Sequence, residues 1–260
     1  LNVLPTNEID PFNCCYHFTY WGFDYKLGHI MQAFSLFSGP HIVTIILTYL
    51  IIAVILFWVS NQSNEIRKNA KVSIGVLLIT HYFMQFLHAV SFDLSWQEII
   101  PLHMCDFSKL AIGLYLLGYD KRLFHCALFW GTIPASMALL TPALTYGYPD
   151  PEYINFYYGH GLILLGVGMP VFVLKERPQF ADFIFVVKVT LAMTAVIFIL
   201  NHLLGEGANF WYLKDKPNGD TIINLFPSAP FHILGLIPAA IFAFYLTYLP
   251  YQLKDKISGS

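Results

Sequence analysis

Apolar residues run through this chain in long blocks, without the strict two-residue alternation of half-buried strands. A membrane-spanning helix needs about 20 mostly apolar residues. Seven blocks approach that length, at residues 41–59, 72–89, 102–119, 123–144, 156–174, 183–204 and 231–253. The pattern predicts an all-α polytopic membrane protein, a bundle of seven transmembrane helices. Residues 1–40 would form an extracytoplasmic or interfacial lead, 41–253 the transmembrane domain, and 254–260 a cytoplasmic tail whose final Ser-Gly-Ser reads as an appended remnant. The lead carries Tyr16, Phe18, Tyr20, Trp21, Phe23 and Tyr25, residues suited to the membrane–water interface, and an interfacial helix is expected around 24–36.

The polar residues inside the blocks are ordered. His81, Gln85 and His88 stand at i, i+4 and i+7, one face of the second helix, and Thr190, Thr194 and Asn201 share a face of the sixth. Such stripes face a bundle interior rather than lipid. Pro134 and Pro142 interrupt the fourth block, and Pro170 the fifth, near Gly166 and Gly168. Bundles tolerate these breaks where neighbours satisfy the freed carbonyls.

Charge adds orientation. Arg67, Lys68, Lys71, Lys121, Arg122, Lys175, Arg177, Lys254 and Lys256 fall in connections on one face, against Lys26, Lys214 and Lys216 on the other. Basic connections favour the cytoplasm, so the N-terminus is expected outside and the C-terminus inside. Composition agrees: 57% hydrophobic and 12% charged residues place the chain outside the range of soluble domains. A net charge of −2 without a basic cluster argues against a nucleic-acid partner. Four cysteines imply no disulfide framework, and residues 1–30 lack the basic start and apolar core of a cleavable signal peptide.

With depth assigned, chemistry concentrates in residues 100–109, IPLHMCDFSK, where His103, Cys105, Asp106 and Lys109 precede the apolar run LAIGLYLLGY. Six of the ten histidines gather at the outer helix ends: His41, His88, His103, His160, His202 and His232. Cys105 with a histidine forms a nucleophile–base pair when the imidazole raises the thiolate fraction. His160 is the preferred base, because it comes from another helix at matching depth and is flanked by Gly159 and Gly161. His103, two positions from Cys105, points to a different side. Asp106 or Asn201 would orient the base, and His88 or His202 would stabilise an oxyanion. Lys109 would pair with Asp106, three residues away. His81, Gln85, Tyr158 and Thr194 would line the cavity, and residues 206–230 could cap it.

Plainer readings stand beside these. A free cysteine is most often a small buried hydrophobe, and His41 and His232 read as helix-end histidines bonded to carbonyls. A zinc site would suit His with Cys and Asp, but no HxxxH or HExxH pair puts two ligands on one helix face, so no metal ligand is assigned.

Several landmarks together resemble one family: FSGPH at 37–41, IPLHMCD at 100–106, FWG at 129–131, LLTP at 139–142, YGHG at 158–161, NHLLG at 201–205 and YLP at 248–250. In this order, over about 35–253, they resemble the YwaF-like integral membrane proteins, mostly bacterial, whose eukaryotic relative transfers acyl groups between ether phospholipids. The resemblance implies a seven-helix protein of a bacterial plasma membrane and acyl transfer through a cysteine. That cysteine falls on Cys105, and its partner on His160. The expected function is therefore phospholipid acyl transfer through an acyl-cysteine, with phospholipid and lysophospholipid as substrates and no cofactor. The alternatives are a transporter or receptor with an outward polar cavity, and a zinc-dependent lipid hydrolase.

Overall fold

The computed structural model describes residues 18–20, 23–25, 32–91, 100–217 and 222–258. The chain divides into two units, Leu1–Met31 and Gln32–Ser260. The first holds an antiparallel hairpin, β1 (Phe18–Tyr20) and β2 (Phe23–Tyr25), with Phe18 opposite Tyr25. This corrects the interfacial helix expected around 24–36, as far as it is described. Asp24 and Tyr25 are in a strand, and residues 26–31 lie outside the described residues. Ala33 bridges Tyr146 in extended backbone, and the Phe34 N–H donates to Thr145 at 2.9 Å.

The second unit is helical: α1 (Gly39–Ser60), α2 (Asn64–Ser91), α3 (Met104–Leu116), α4 (Lys121–Gly131), α5 (Ile133–Leu140), α6 (Pro151–Gly168), α7 (Phe180–Leu203) and α8 (His232–Ser258). Among the described residues, six stretches are long and apolar enough to cross a membrane, with α4 and α5 counted together. The chain is an integral membrane protein. The block at 102–119 differs from the other six, because its helix has only 13 residues. At 1.5 Å per residue that is about 20 Å, short of a hydrocarbon core of about 30 Å. Its apolar composition reflects burial among other helices instead, since eight of its residues are buried.

Local chemistry sets the length of α3. Pro101 precedes it, and the Asp106 carboxylate accepts the His103 N–H at 3.1 Å, fixing the start. Gly118, at φ 108°, ends it in the left-handed conformation that glycine adopts without strain. The Tyr119 N–H then reaches the Leu114 carbonyl at 3.1 Å and the Gly118 N–H that of Tyr115 at 3.0 Å, closing a Schellman turn. The core around α3 includes Leu78, Ile112, Leu116, Phe124, Phe129 and Ile163, all fully enclosed. Helix α6 is central, with 67% of its apolar window buried, whereas α1 has 11% and turns its side chains outward.

The prolines act as their missing N–H dictates. Pro134 sits in the first turn of α5, just past the break at Thr132, and Pro142 lies beyond the end of that helix. Pro170 does not break α6 but shifts it into a π-turn, Met169–Val173, where the Leu174 N–H reaches back five residues to Met169 at 3.2 Å.

The basic connections meet at one end of the bundle. Lys121 pairs with Glu176 at 2.5 Å, Arg177 with Asp255, and His125 with Asp182 at 3.0 Å, while Lys71 lies over the Tyr115 ring. These contacts tie α4, the α6–α7 connection, α7 and the end of α8 together.

Candidate active site at the start of α3

The opposite end of α3 gathers the polar side chains. Asp106 Oδ1 pairs with Lys109 Nζ at 3.3 Å, and Lys109 also donates to Gln85 Oε1 on α2. Lys109 is 1% exposed and Asp106 6%. An ammonium and a carboxylate this enclosed are stable only as a satisfied pair, and Gln85 supplies a further acceptor. The Cys105 sulfur stands 3.9 Å from Asp106 Oδ1, and the residue as a whole is partly buried. Cys105 occupies the first turn of α3, where the N–H groups of Met104 and Cys105 have no intrahelical acceptor.

His160, on α6, is buried, and its Nδ1 lies 2.9 Å from the Phe156 carbonyl one turn earlier. A carbonyl only accepts, so Nδ1 carries the proton and Nε2 of the neutral ring keeps its lone pair. The Phe156 ring packs against the imidazole with centroids 4.1 Å apart. Phe156 thus orients His160, a role that a backbone carbonyl fills and no sequence motif marks. Lys109, Asp106 and His81 lie within electrostatic range of His160. No hydrogen bond joins His160 to Cys105 among the described residues, and both lie within electrostatic range of the Asp106–Lys109 pair.

His81 extends the cluster toward α6. Its Nε2–H donates to Asn155 Oδ1 at 3.0 Å, and its ring meets that of Tyr158, itself half exposed. Gly159 makes this approach possible: a Cβ there would stand 2.6 Å from His81 Cε1. Asn155 is a partner that sequence reasoning missed, although it lies one turn before Gly159 on the same face. His81 and Gln85 both turn inward, as their spacing predicts. The His88 side chain lies outside what is described.

Other candidates are placed elsewhere. Asn201 is fully buried, but its amide serves the loop after α7. Its Nδ2 donates to the Phe210 carbonyl at 2.9 Å, and its Oδ1 accepts the Phe210 N–H at 2.8 Å. His202 is exposed and bonded through Nδ1 to the Phe198 carbonyl at 2.8 Å. Thr194 bonds to the Thr190 carbonyl and lines a cavity of about 30 Å³ between α7 and α8, room for a water and no more. His41 and His232 do bond to carbonyls, of Leu139 at 3.1 Å and Tyr212 at 2.7 Å.

The loop held by Asn201 closes over the start of α3. Phe210, Leu213 and Ala208 are buried in a small core with Ile197, against which Leu102 and Phe107 pack. The Trp211 indole donates to the Leu102 carbonyl at 2.8 Å, and the rings of Phe210 and Tyr212 lie 5.2 and 6.1 Å from that of His103. His103 therefore caps the helix and supports the loop. Trp211 and Tyr212 have φ of 57° and 52°, a left-handed conformation that costs non-glycine residues energy and persists only where surroundings enforce it. Burial, and then the nearby Cys105 thiol group, raise the Tyr212 phenol above its ordinary pKa, so it stays protonated.

No three His, Cys, Asp or Glu side chains form a metal-holding group among the described residues.

The pattern that defines the TMEM164 family matches residues 36–248, most of the chain. This chain belongs to the TMEM164 family. The matched region takes in every helix described above except the last turns of α8, and so the whole polar cluster. No curated protein and no solved structure matches the chain. The YwaF-like resemblance rests on the motifs alone, while the match to a transmembrane family stands independently of it.

Proposed function

We propose that this TMEM164-family protein is a phospholipid acyltransferase of a bacterial plasma membrane, with its site toward the extracytoplasmic side and Cys105 as nucleophile. One observation carries the reading. A partly buried cysteine stands in the acceptor-free first turn of α3, within electrostatic range of the same Asp106–Lys109 pair as an imidazole whose Nδ1 is fixed by a backbone carbonyl. His160 Nε2 takes the thiol proton, and the sulfur attacks a phospholipid ester carbonyl. Negative charge develops on the carbonyl oxygen, where first-turn N–H groups of α3 supply donors. The intermediate collapses as the glycerol C–O bond breaks, and His160 returns the proton to the leaving oxygen. The products of this half are an acyl-cysteine and a lysophospholipid. A second lysolipid hydroxyl, deprotonated by His160, then attacks the thioester and releases the thiol.

The Asp106–Lys109–Gln85 chain fixes the charge around both reacting groups. The test is incubation of purified protein with phospholipid vesicles of several headgroup classes, followed by intact-mass measurement. The expected result is a single acyl adduct that Cys105→Ala abolishes. Absence of adduct and of transferred product with every lipid class refutes the reading.

The buried ion pair favours one second reading, a transporter in which Lys109 and Asp106 carry ligand or protons. Transport would survive Cys105→Ala, and acyl transfer would not.

A further inference from the structure

Of the 14 Lys and Arg residues, only Lys109 and Lys188 stand inside the apolar blocks. Lys109 is enclosed and paired. Lys188 is neither. It is exposed on α7, on the stripe that carries Leu191, Ala195 and Ile199 at i+3, i+7 and i+11, and it forms no hydrogen bond or ion pair with any described residue. An ammonium on a lipid-facing stripe is costly unless its stem carries it to the interface and something anionic meets it there. Lys188 lies eight positions after Phe180, the first residue of α7, so it is about 12 Å along the helix from the basic end. Side chains lean toward the N-terminus of their helix, here the basic end, so Lys188 reaches back in that direction.

Phe185 lies one turn earlier on the same face. The Arg122 guanidinium of α4 stands over that ring, 5.9 Å from its centroid. Arg122 is exposed as well, and its side chain forms no ion pair with a described residue. The acidic side chains of the neighbouring connections are already engaged: Asp182 with His125, Glu176 with Lys121, and Asp120 with the first turn of α4. Two unpaired cations therefore flank one aromatic ring at the exposed seam between α4 and α7.

We infer that Arg122 and Lys188 form a binding site for the phosphate of an anionic phospholipid in the leaflet at the basic end. The planar guanidinium takes two phosphate oxygens and the ammonium a third from below. The acyl chains run down the stripe of Leu191 and Ile199, which is why a lipid rather than a free phosphate fits. Two cations repel the amine of a zwitterionic headgroup, so a net negative lipid is preferred. This site is at the opposite end of the bundle from Cys105 and does not rest on the acyl-transfer reading.

The experiment titrates purified protein in detergent with phosphatidylglycerol or phosphatidylcholine and counts bound lipid by native mass spectrometry. The variants are Lys188→Met, Lys188→Arg, Arg122→Gln and Lys68→Gln. Lys188→Met puts an apolar side chain on a lipid-facing stripe and so keeps the fold. The expected result is preferential retention of one phosphatidylglycerol. Lys188→Met and Arg122→Gln should each weaken it about five-fold, the worth of one basic side chain near an anionic surface, while Lys188→Arg binds as the wild type does. Lys68→Gln removes an exposed charge from the same end, on α2, and should change nothing. Equal retention of the two lipids by the wild type overturns the inference. So does an equal weakening by Lys68→Gln, which would assign the effect to the diffuse charge of that end. Displacement of the lipid by millimolar inorganic phosphate overturns it too, by making the site one for a free anion.

Discussion

The two ends of the bundle both hold ion pairs, in opposite circumstances. At the basic end, Lys121 is half exposed and Arg177 nearly so, and their partners Glu176 and Asp255 are reached by solvent. At the other end, Asp106 and Lys109 are enclosed by α2, α3 and α6. Exposed pairs gain little because water screens them and their side chains lose freedom. Enclosed pairs carry a desolvation cost that their mutual attraction only offsets when every polar atom is engaged. The basic end therefore tolerates its charges, whereas the site end must be built around them. Gln85 on Lys109 and the His103 N–H on Asp106 are that building. Charges kept under such conditions inside a membrane protein mark function more often than stability.

The sharpest way to break this contrast is Lys109→Met, which leaves the Asp106 carboxylate enclosed and unpaired. A loss of about 3–5 kcal/mol in detergent unfolding is expected, with most of it recovered in the double variant Asp106→Asn, Lys109→Met. Equal losses in single and double variants would show that the pair is not the unit. Next comes Asn201→Ala, which orphans the Phe210 N–H and carbonyl together. It should cost about 2–4 kcal/mol and open the loop, read as faster amide exchange at residues 208–213. A smaller effect is expected from Gly159→Ala, where the added methyl displaces His81 from Asn155. Overpacking of this kind costs about 1–3 kcal/mol, and activity should fall with it if the His81 edge supports His160. At the basic end, Lys121→Ala should shift stability by no more than about 1 kcal/mol. A larger shift there would erase the difference between the ends.

How much of this was legible in the chain varies by element. The long apolar blocks show six of the expected spans directly, with ends displaced by a few residues. Helix α2 begins at Asn64, eight residues before its apolar block, because hydropathy does not register the polar first turns. Helix α3 misled by composition: a buried helix and a lipid-facing one are equally apolar, and only the Gly118 stop separates them. The inward faces of His81 and Gln85 followed from spacing, and so did the Asp106–Lys109 pair. Asn201 did not. Its partner is the backbone of a loop nine residues on, whose shape depends on left-handed Trp211 and Tyr212, residues without a sequence signature for that conformation. The orienting carbonyl of Phe156 carries no side-chain mark at all.

The shortness of α3 has a geometric consequence. A rod of about 20 Å inside a slab of about 30 Å stops roughly 10 Å short of one surface or divides that shortfall between both. With its Schellman turn among the basic connections, the recess falls at the Cys105 end. There residues 208–213 pack over the helix start, with the Trp211 indole bonded to the Leu102 carbonyl. On the acyl-transfer proposal, the length of the helix acts as a ruler for the depth at which the sulfur stands in the bilayer.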